Sequence, residues 1–309
     1  MAELELTAVA RTQGNNRAVK DGRIAPNGAV LNFTEVPVLV QAFRRMVRDN
    51  EFDVCEMAIT TYLCAKEHGK PFTGLPIFLL RGFHHGAIHT NSAIAPHDLA
   101  GRSVGVNRGY TVTTGVWARG ILHTEYGLDL NEVDWVRSGD EHVAEYQPPP
   151  NVRSANGADL ADLVAAGDLA ATIGVTTPES HPLIPDAEAA GYAALRERGH
   201  YPINHLVVVR DELLREHPDL ARDLFDTFAE SKRRYVEELR ADAIADPTPA
   251  DRLHREVMRS TGEDPLPYGI EPNRHVLEEL LDHALDQHIL RTRPNIDDLF
   301  AEGTRDITG

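Results

Sequence analysis

Two histidine-bearing stretches and one carboxylate in an apolar run are the side chains of this sequence best suited to moving protons. The first stretch is Arg81-Gly82-Phe83-His84-His85-Gly86-Ala87-Ile88-His89. Extended backbone points alternate side chains the same way, so Arg81, His85 and His89 would share one face and His84 the other. An imidazole titrates near neutral pH, which suits a general acid, a base or a polar ligand contact; packing at a hinge is the competing reading. Histidine spacing on a strand is weak evidence for a metal, and no acidic partner is identifiable beside it, so no metal is expected. His205 interrupts the apolar run of Tyr201-Pro202-Ile203-Asn204-His205-Leu206-Val207. Glu56 does the same in Asp53-Val54-Cys55-Glu56-Met57-Ala58-Ile59. A lone buried carboxylate is costly, so Glu56 must pair with a cation or act on a ligand.

A third stretch could hold an anion. In Ser103-Val104-Gly105-Val106-Asn107-Arg108-Gly109-Tyr110-Thr111-Val112-Thr113-Thr114 a strand gives way to a glycine turn and then a helix running on to Glu125. Free amides and the positive end of that helix favour a carboxylate there, with Arg108, Thr113 and Thr114 adding donors; simple N-capping is the alternative. No nucleophile elbow, P-loop or dinucleotide fingerprint occurs.

The elements that must carry these groups alternate between strand and helix. Leu4–Ala10, Val30–Val36 and Phe52–Ile59 read as strands, and Val38–Arg48 has the three-to-four spacing of an amphipathic helix. Thr60 and Thr61 then open a further helix at the end of the third strand. The second half repeats the device, with helix Leu160–Ala166, strand Leu169–Val175 and the pair Thr176-Thr177. Such alternation implies a mainly parallel sheet in each half, with ligands at the carboxyl ends of the strands. Pro76–Thr90 reads as one long strand crossing between lobes and Tyr201–Val209 as the return, so residues 1–88 with 203–309 form lobe I and 89–202 form lobe II, around a cleft. Asp211–Arg240 is mostly helical, Asn273–Leu290 is a final helix of lobe I, and Gln147–Gly157 is an exposed loop.

Composition narrows the partners. Forty-eight acidic against 31 basic residues give a formal charge of -17, which repels nucleic acid and anionic membrane surfaces. An anion site must therefore be built from locally concentrated donors. The two cysteines, Cys55 and Cys64, read as reduced core residues. No apolar stretch reaches the roughly 20 residues of a membrane span and the first 14 residues lack the pattern of a leader, so a cytoplasmic protein is expected. Assembly with further copies of itself is left open.

Five segments stand out in order along most of the chain: Phe52-Asp53-Val54-Cys55-Glu56, Pro76-Ile77-Phe78-Leu79-Leu80-Arg81-Gly82-Phe83, Gly101-Arg102-Ser103-Val104-Gly105-Val106, Val116-Trp117-Ala118-Arg119-Gly120-Ile121-Leu122 and Tyr268-Gly269-Ile270-Glu271-Pro272-Asn273-Arg274. Together they resemble the 4,5-dihydroxyphthalate decarboxylases and their solute-binding-like relatives. The resemblance implies an α/β, two-lobed fold like that of type II periplasmic binding proteins, with two interlobe crossings. It also implies decarboxylation of a hydroxylated aromatic carboxylate without a cofactor: ring protonation, then loss of carbon dioxide. In that scheme His85 or His205 is the acid and Glu56 orients or deprotonates a phenol. Arg81, His84, Arg108, Arg119, Thr60, Thr61, Thr113, Thr114 and Tyr268 contact the small anionic aromatic substrate. The alternative is a solute-binding protein that closes on an aromatic or heterocyclic acid.

Overall fold

The computed structural model describes residues 3–309. In chain order its strands are β1 Leu4–Val9, β2 Ala29–Phe33, β3 Val54–Ala58, β4 Phe72–Arg81, β5 Ile88–Thr90, β6 Ser103–Val106, β7 Asp134–Arg137, β8 Val152–Ser154, β9 Ala171–Ile173, β10 His181–Pro182 and β11 Ile203–Arg210. The helices are α1 Arg17–Lys20, α2 Leu39–Asp49, α3 Ile59–Glu67, α4 Thr113–Tyr126, α5 Leu160–Ala166, α6 Ala187–Arg198, α7 Asp211–Glu216, α8 Leu220–Arg240, α9 Pro249–Thr261 and α10 Arg274–Asp286. They fall into two units, Met1–Gly82 with Ile203–Glu278 and Pro294–Gly309, and Phe83–Pro202 with Glu279–Arg293. Residues 279–293, read from sequence as part of lobe I, count with the second unit. The chain therefore passes between units four times rather than twice.

The first unit is built on a five-stranded sheet in the order β2-β1-β3-β11-β4. β1 runs parallel to β2 and β3, but β11 enters antiparallel between β3 and β4. The sheet is mixed rather than mainly parallel because the returning chain inserts beside β3. One face is covered by α8, whose Leu220, Ala221, Leu224, Phe225 and Phe228 recur at three-to-four spacing and pack with Leu6, Val54, Leu75, Ile77, Leu79, Val207 and Val209. Each such leucine, isoleucine, valine or phenylalanine contributes on the order of 2 kcal/mol by leaving water.

The second unit carries the sheet β10-β5-β9-β6-β7-β8, parallel from β9 through β8 and antiparallel at β5 and β10. Its β8 lies inside Gln147–Gly157, which the proline and glycine content made look like a loop. A small core of Val136, Leu160, Val164 and Leu169 seats α5 on this sheet. Gly105 is required there, because a Cβ would lie 2.9 Å from the Leu169 side chain.

The long strand expected over Pro76–Thr90 is broken. β4 stops at Arg81, a 3-10 turn spans His85–Ala87, and β5 begins at Ile88. The alternation that put Arg81, His85 and His89 on one face therefore does not hold. The turn shifts the side-chain phase between Arg81 and His89.

Candidate functional site

Glu56 sits in the middle of β3 and is 1% exposed. β11 runs antiparallel beside it, with Val207 opposite Glu56 and His205 opposite Ala58, so His205 and Glu56 share a face. The His205 Nδ1 lies 2.6 Å from Glu56 Oε1. The Gln13 side-chain amide donates to the same oxygen at 3.4 Å, and the Arg11 backbone N–H donates to Oε2 at 2.8 Å. A buried carboxylate is tolerated when it is paired and its oxygens are occupied, and this one meets both conditions. The Phe43 ring stands edge-on to the His205 imidazole, centroids 5.1 Å apart, and fixes its tilt.

Glu56 forms part of the wall of a cavity of about 440 Å³ within the first unit, a size suited to a small organic ligand. Gly14, Leu80, Pro249 and Ala250 supply apolar surface, and Arg11, Gln13 and Arg17 supply donors. No hydrogen bond or ion pair engages the guanidinium of Arg11 or Arg17 among the described residues. Arg11 and Arg17 are both exposed, so their guanidinium groups are available to an anion at the cavity edge. Thr12, Tyr235, Thr248, Asp251 and His254 complete the wall.

Other first-unit candidates take mixed positions. Thr60 and Thr61 are buried at the start of α3, directly after β3, as their position in the sequence implied. Arg81 ends β4 and is 5% exposed; its Nη1 donates to Asn273 Oδ1 at 2.7 Å. Asn273 in turn donates to the carbonyls of Pro267 and Gly269, so this arginine braces the proline-glycine loop. Tyr268, expected to touch substrate, is wholly buried in the core under α8 and accepts a hydrogen bond from Asn15. Burial pushes its phenol well above the usual range, and it acts as a packing residue.

In the second unit the expected anion site is occupied by the chain itself. Glu141 accepts from the Tyr110 N–H at 2.6 Å, the Thr111 N–H at 3.1 Å and the Thr111 hydroxyl at 2.8 Å. Gly109 makes room for it, since a Cβ would fall 2.5 Å from Glu141 Oε2. Nor do threonines cap the helix: the N-cap of α4 is Val112, without a side-chain cap bond. Thr113 is buried and Thr114 half-buried in its first turn. Arg108 is exposed with a left-handed φ of 68°. Arg119 is fully buried, donating to Gln287 Oε1 and the Tyr110 carbonyl and stacked 3.8 Å from the Tyr110 ring centroid. It is a structural cation rather than the substrate contact expected.

His84 and His85 are both buried in the second unit. His85 Nε2 meets Glu125 at 3.0 Å. Arg198 bridges Glu125 and Glu279, while His200 Nδ1 meets Glu279 at 2.9 Å. Trp117 presents its ring to His200 and His283. Burial opposes ionisation of Glu279, yet the hydrogen bond from His200 and the imidazole of His283, 3.8 Å away, prevail and hold it well below the usual carboxylate range. Burial pushes His200 down. Of the three residues expected to carry acid-base chemistry, then, Glu56 and His205 meet in the first unit. His85 belongs to a separate ionic cluster in the second. Sequence reading missed Arg11, Gln13 and Arg17, which lie in a polar stretch with no periodic signal.

Among the described residues no group of three or more His, Cys, Asp or Glu side chains is arranged to hold a metal ion, and no helix is long and apolar enough to cross a membrane.

The two sheets and their connections define the class: an α/β protein with the fold of the periplasmic binding proteins. The periplasmic aliphatic sulphonate binding protein SsuA of Escherichia coli superposes with a TM-score of 0.53 at 12% identity, covering 99% of this chain and 94% of that one. The desulfurization enzyme DSZB superposes with a TM-score of 0.52 at 17% identity, over 97% and 96%. Within that class, the chain is similar to the 4,5-dihydroxyphthalate decarboxylase of Comamonas testosteroni, 28% identical over 324 aligned positions, 95% of this chain and 96% of that one. It is also 29% identical over 160 positions to the enzyme of the same name from Pseudomonas putida, 47% of this chain and 62% of that one. The resemblance read from the segments above is borne out over nearly the whole length. No family model matches the chain.

Proposed function

We propose that the protein is a carboxy-lyase that removes carbon dioxide from a hydroxylated aromatic dicarboxylate of the 4,5-dihydroxyphthalate type, at the cavity beside Glu56. The observation that carries this reading is the buried Glu56–His205 pair on the wall of a cavity that also holds two unengaged guanidinium groups. Names of relatives aligned over 95% and 47% of the chain point the same way.

Arg11 and Arg17 hold the adjacent carboxylates, and Gly14, Leu80 and Pro249 bound the ring. The proton shared between His205 and Glu56 passes through Glu56 to the ring carbon bearing one carboxylate. That carbon becomes tetrahedral, and the bond to the carboxylate breaks. The bonding pair restores the aromatic ring and carbon dioxide leaves. Net, one proton is consumed and one carboxylate lost, and solvent restores the proton. Holding the ring against the acid contributes as much as the proton itself, because the reacting atoms no longer need to find each other.

The same cavity would suit simple capture of an aromatic acid. Retention of a buried acid-base pair, which binding alone does not require, favours turnover. Incubating the purified protein with 4,5-dihydroxyphthalate and measuring carbon dioxide and the monocarboxylate product tests the reading. Saturable binding without product contradicts it.

A further inference from the structure

On the cavity wall formed by α8 and α9 lies a second set of proton-handling groups. Tyr235 donates its hydroxyl hydrogen to Asp251 Oδ1 at 2.6 Å, and its oxygen lies 2.8 Å from His254 Nδ1. A phenol has one hydrogen, so once it goes to the carboxylate, Nδ1 must carry the hydrogen of the His254 contact. That fixes the tautomer and leaves Nε2 as the acceptor. No hydrogen bond engages Nε2 among the described residues, and this atom is not fully sealed from solvent, although the residue is only 4% exposed and lines the cavity. Asp251 is itself locked: its Oδ2 accepts from the N–H and the hydroxyl of Thr248, the N-cap of α9. Tyr235 is wedged against Gly14, where any Cβ would lie 2.1 Å from the ring.

We infer that His254 is the base that receives the phenolic proton of a hydroxylated aromatic acid in this cavity, with Tyr235 and Asp251 as its positioning residues. The inference rests on the function proposed above and assigns it a second catalytic residue. Nε2 takes the proton of the ring hydroxyl, and the oxygen's electron pair moves into the ring toward the carbon para to it. In 4,5-dihydroxyphthalate that carbon bears a carboxylate. Glu56 supplies a proton to the same carbon, the bond to the carboxylate breaks, and carbon dioxide leaves. The ring oxygen then regains its proton from His254, so the base is restored in each turnover. Burial pushes the imidazole down to about 4, with Arg81 adding to the effect and Asp251 and Asp264 opposing it. His254 is therefore neutral and able to accept at pH 7. The carboxylates facing it are Asp251, Asp264 and, across the cavity, Glu56.

The test uses His254→Gln, which keeps a polar acceptor but cannot take up a proton, and Tyr235→Phe, which keeps the ring packing but breaks the relay. With 4,5-dihydroxyphthalate at pH 7, His254→Gln should lower kcat by about 10²- to 10⁴-fold with KM changed by no more than about threefold. The deficit should shrink at alkaline pH, where the phenol ionises unaided. Tyr235→Phe should show a smaller loss of kcat. An unchanged kcat in His254→Gln, or a deficit equal at every pH, overturns the assignment. A separate binding arm compares 4,5-dihydroxyphthalate with phthalate, which lacks the hydroxyls. The wild type should prefer the dihydroxy compound, and His254→Gln should lose that preference. If the wild type binds but releases no carbon dioxide, the enzyme reading fails. In that event, preference retained in His254→Gln would also overturn the hydroxyl contact.

Discussion

Replacing Glu56 with glutamine separates the structural role of this side chain from its chemical one. The carboxylate accepts three hydrogen bonds: from His205 Nδ1 at 2.6 Å, from the Gln13 amide at 3.4 Å and from the Arg11 N–H at 2.8 Å. Glutamine keeps one acceptor oxygen. Aimed at Arg11, it leaves its amide group facing the Gln13 donor and His205 Nδ1, so Nδ1 must then turn from donor to acceptor. One charge-assisted bond is lost and one weak contact turns repulsive, so stability should fall by about 1.5–3 kcal/mol. That loss leaves a protein of ordinary stability folded. The chemical effect is larger, because no proton can pass through an amide. Turnover of 4,5-dihydroxyphthalate should fall by about 10²- to 10⁴-fold, equivalent to roughly 3–5.5 kcal/mol of barrier. KM should hold, because the guanidinium groups proposed to bind the carboxylates are untouched. Urea unfolding gives the first quantity and single-turnover release of carbon dioxide the second. Turnover within about threefold of wild type in a folded Glu56→Gln protein would show that the proton takes another route.

Other perturbations separate the remaining parts. Arg11→Met and Arg17→Met should each raise KM by about 10- to 100-fold with little change in kcat, read from initial rates, since each removes a carboxylate partner and no proton carrier. Glu141→Ala strips the acceptor from three donors at the entry to α4 and should lower unfolding free energy by about 3 kcal/mol or more in urea titrations. Gly14→Ala forces a methyl group into the Tyr235 ring and should lower both Tm and turnover, by about 1–3 kcal/mol in stability. Acid should destabilise the fold through the buried imidazoles. Burial holds His254 down at about 4 in the fold, against the usual 6.5 of an imidazole, and His200 is also lowered. Both contributions are complete above about pH 6.5 and diminish as pH falls toward the folded value. For His254 the loss is on the order of 3 kcal/mol, so urea midpoints should drop between pH 7 and pH 4, and less in His254→Gln.

How much of this was legible in the sequence differs from part to part. Glu56 stood out because a carboxylate in an apolar strand needs a partner, and His205 stood out for the same reason. Their meeting depends on the register of β11 against β3, which no local pattern encodes. The fold class followed from the alternation of strands and helices, whereas the mixed sheet did not, since antiparallel insertion of β11 is a long-range choice. Glycines at 82 and 86 signalled a break in Pro76–Thr90, and reading through them produced a false face of histidines. At Tyr110–Thr111 the motif for an anion site was real, but its anion is Glu141, some 30 residues on. Arg11 and Arg17 lie in an irregular stretch where charge looks like ordinary solvent exposure. His254 could have been found: Thr248-Pro249 with Asp251 is a capping signature, and a histidine three residues later lies on the same helix face as that aspartate.

The central claim is that the first-unit cavity turns over an aromatic dicarboxylate rather than only holding it. Carbon dioxide released from carboxyl-labelled 4,5-dihydroxyphthalate by the wild type, in stoichiometric yield with the monocarboxylate and nearly abolished in Glu56→Gln, is the result expected. Tight binding of the same compound with its label fully retained would contradict it.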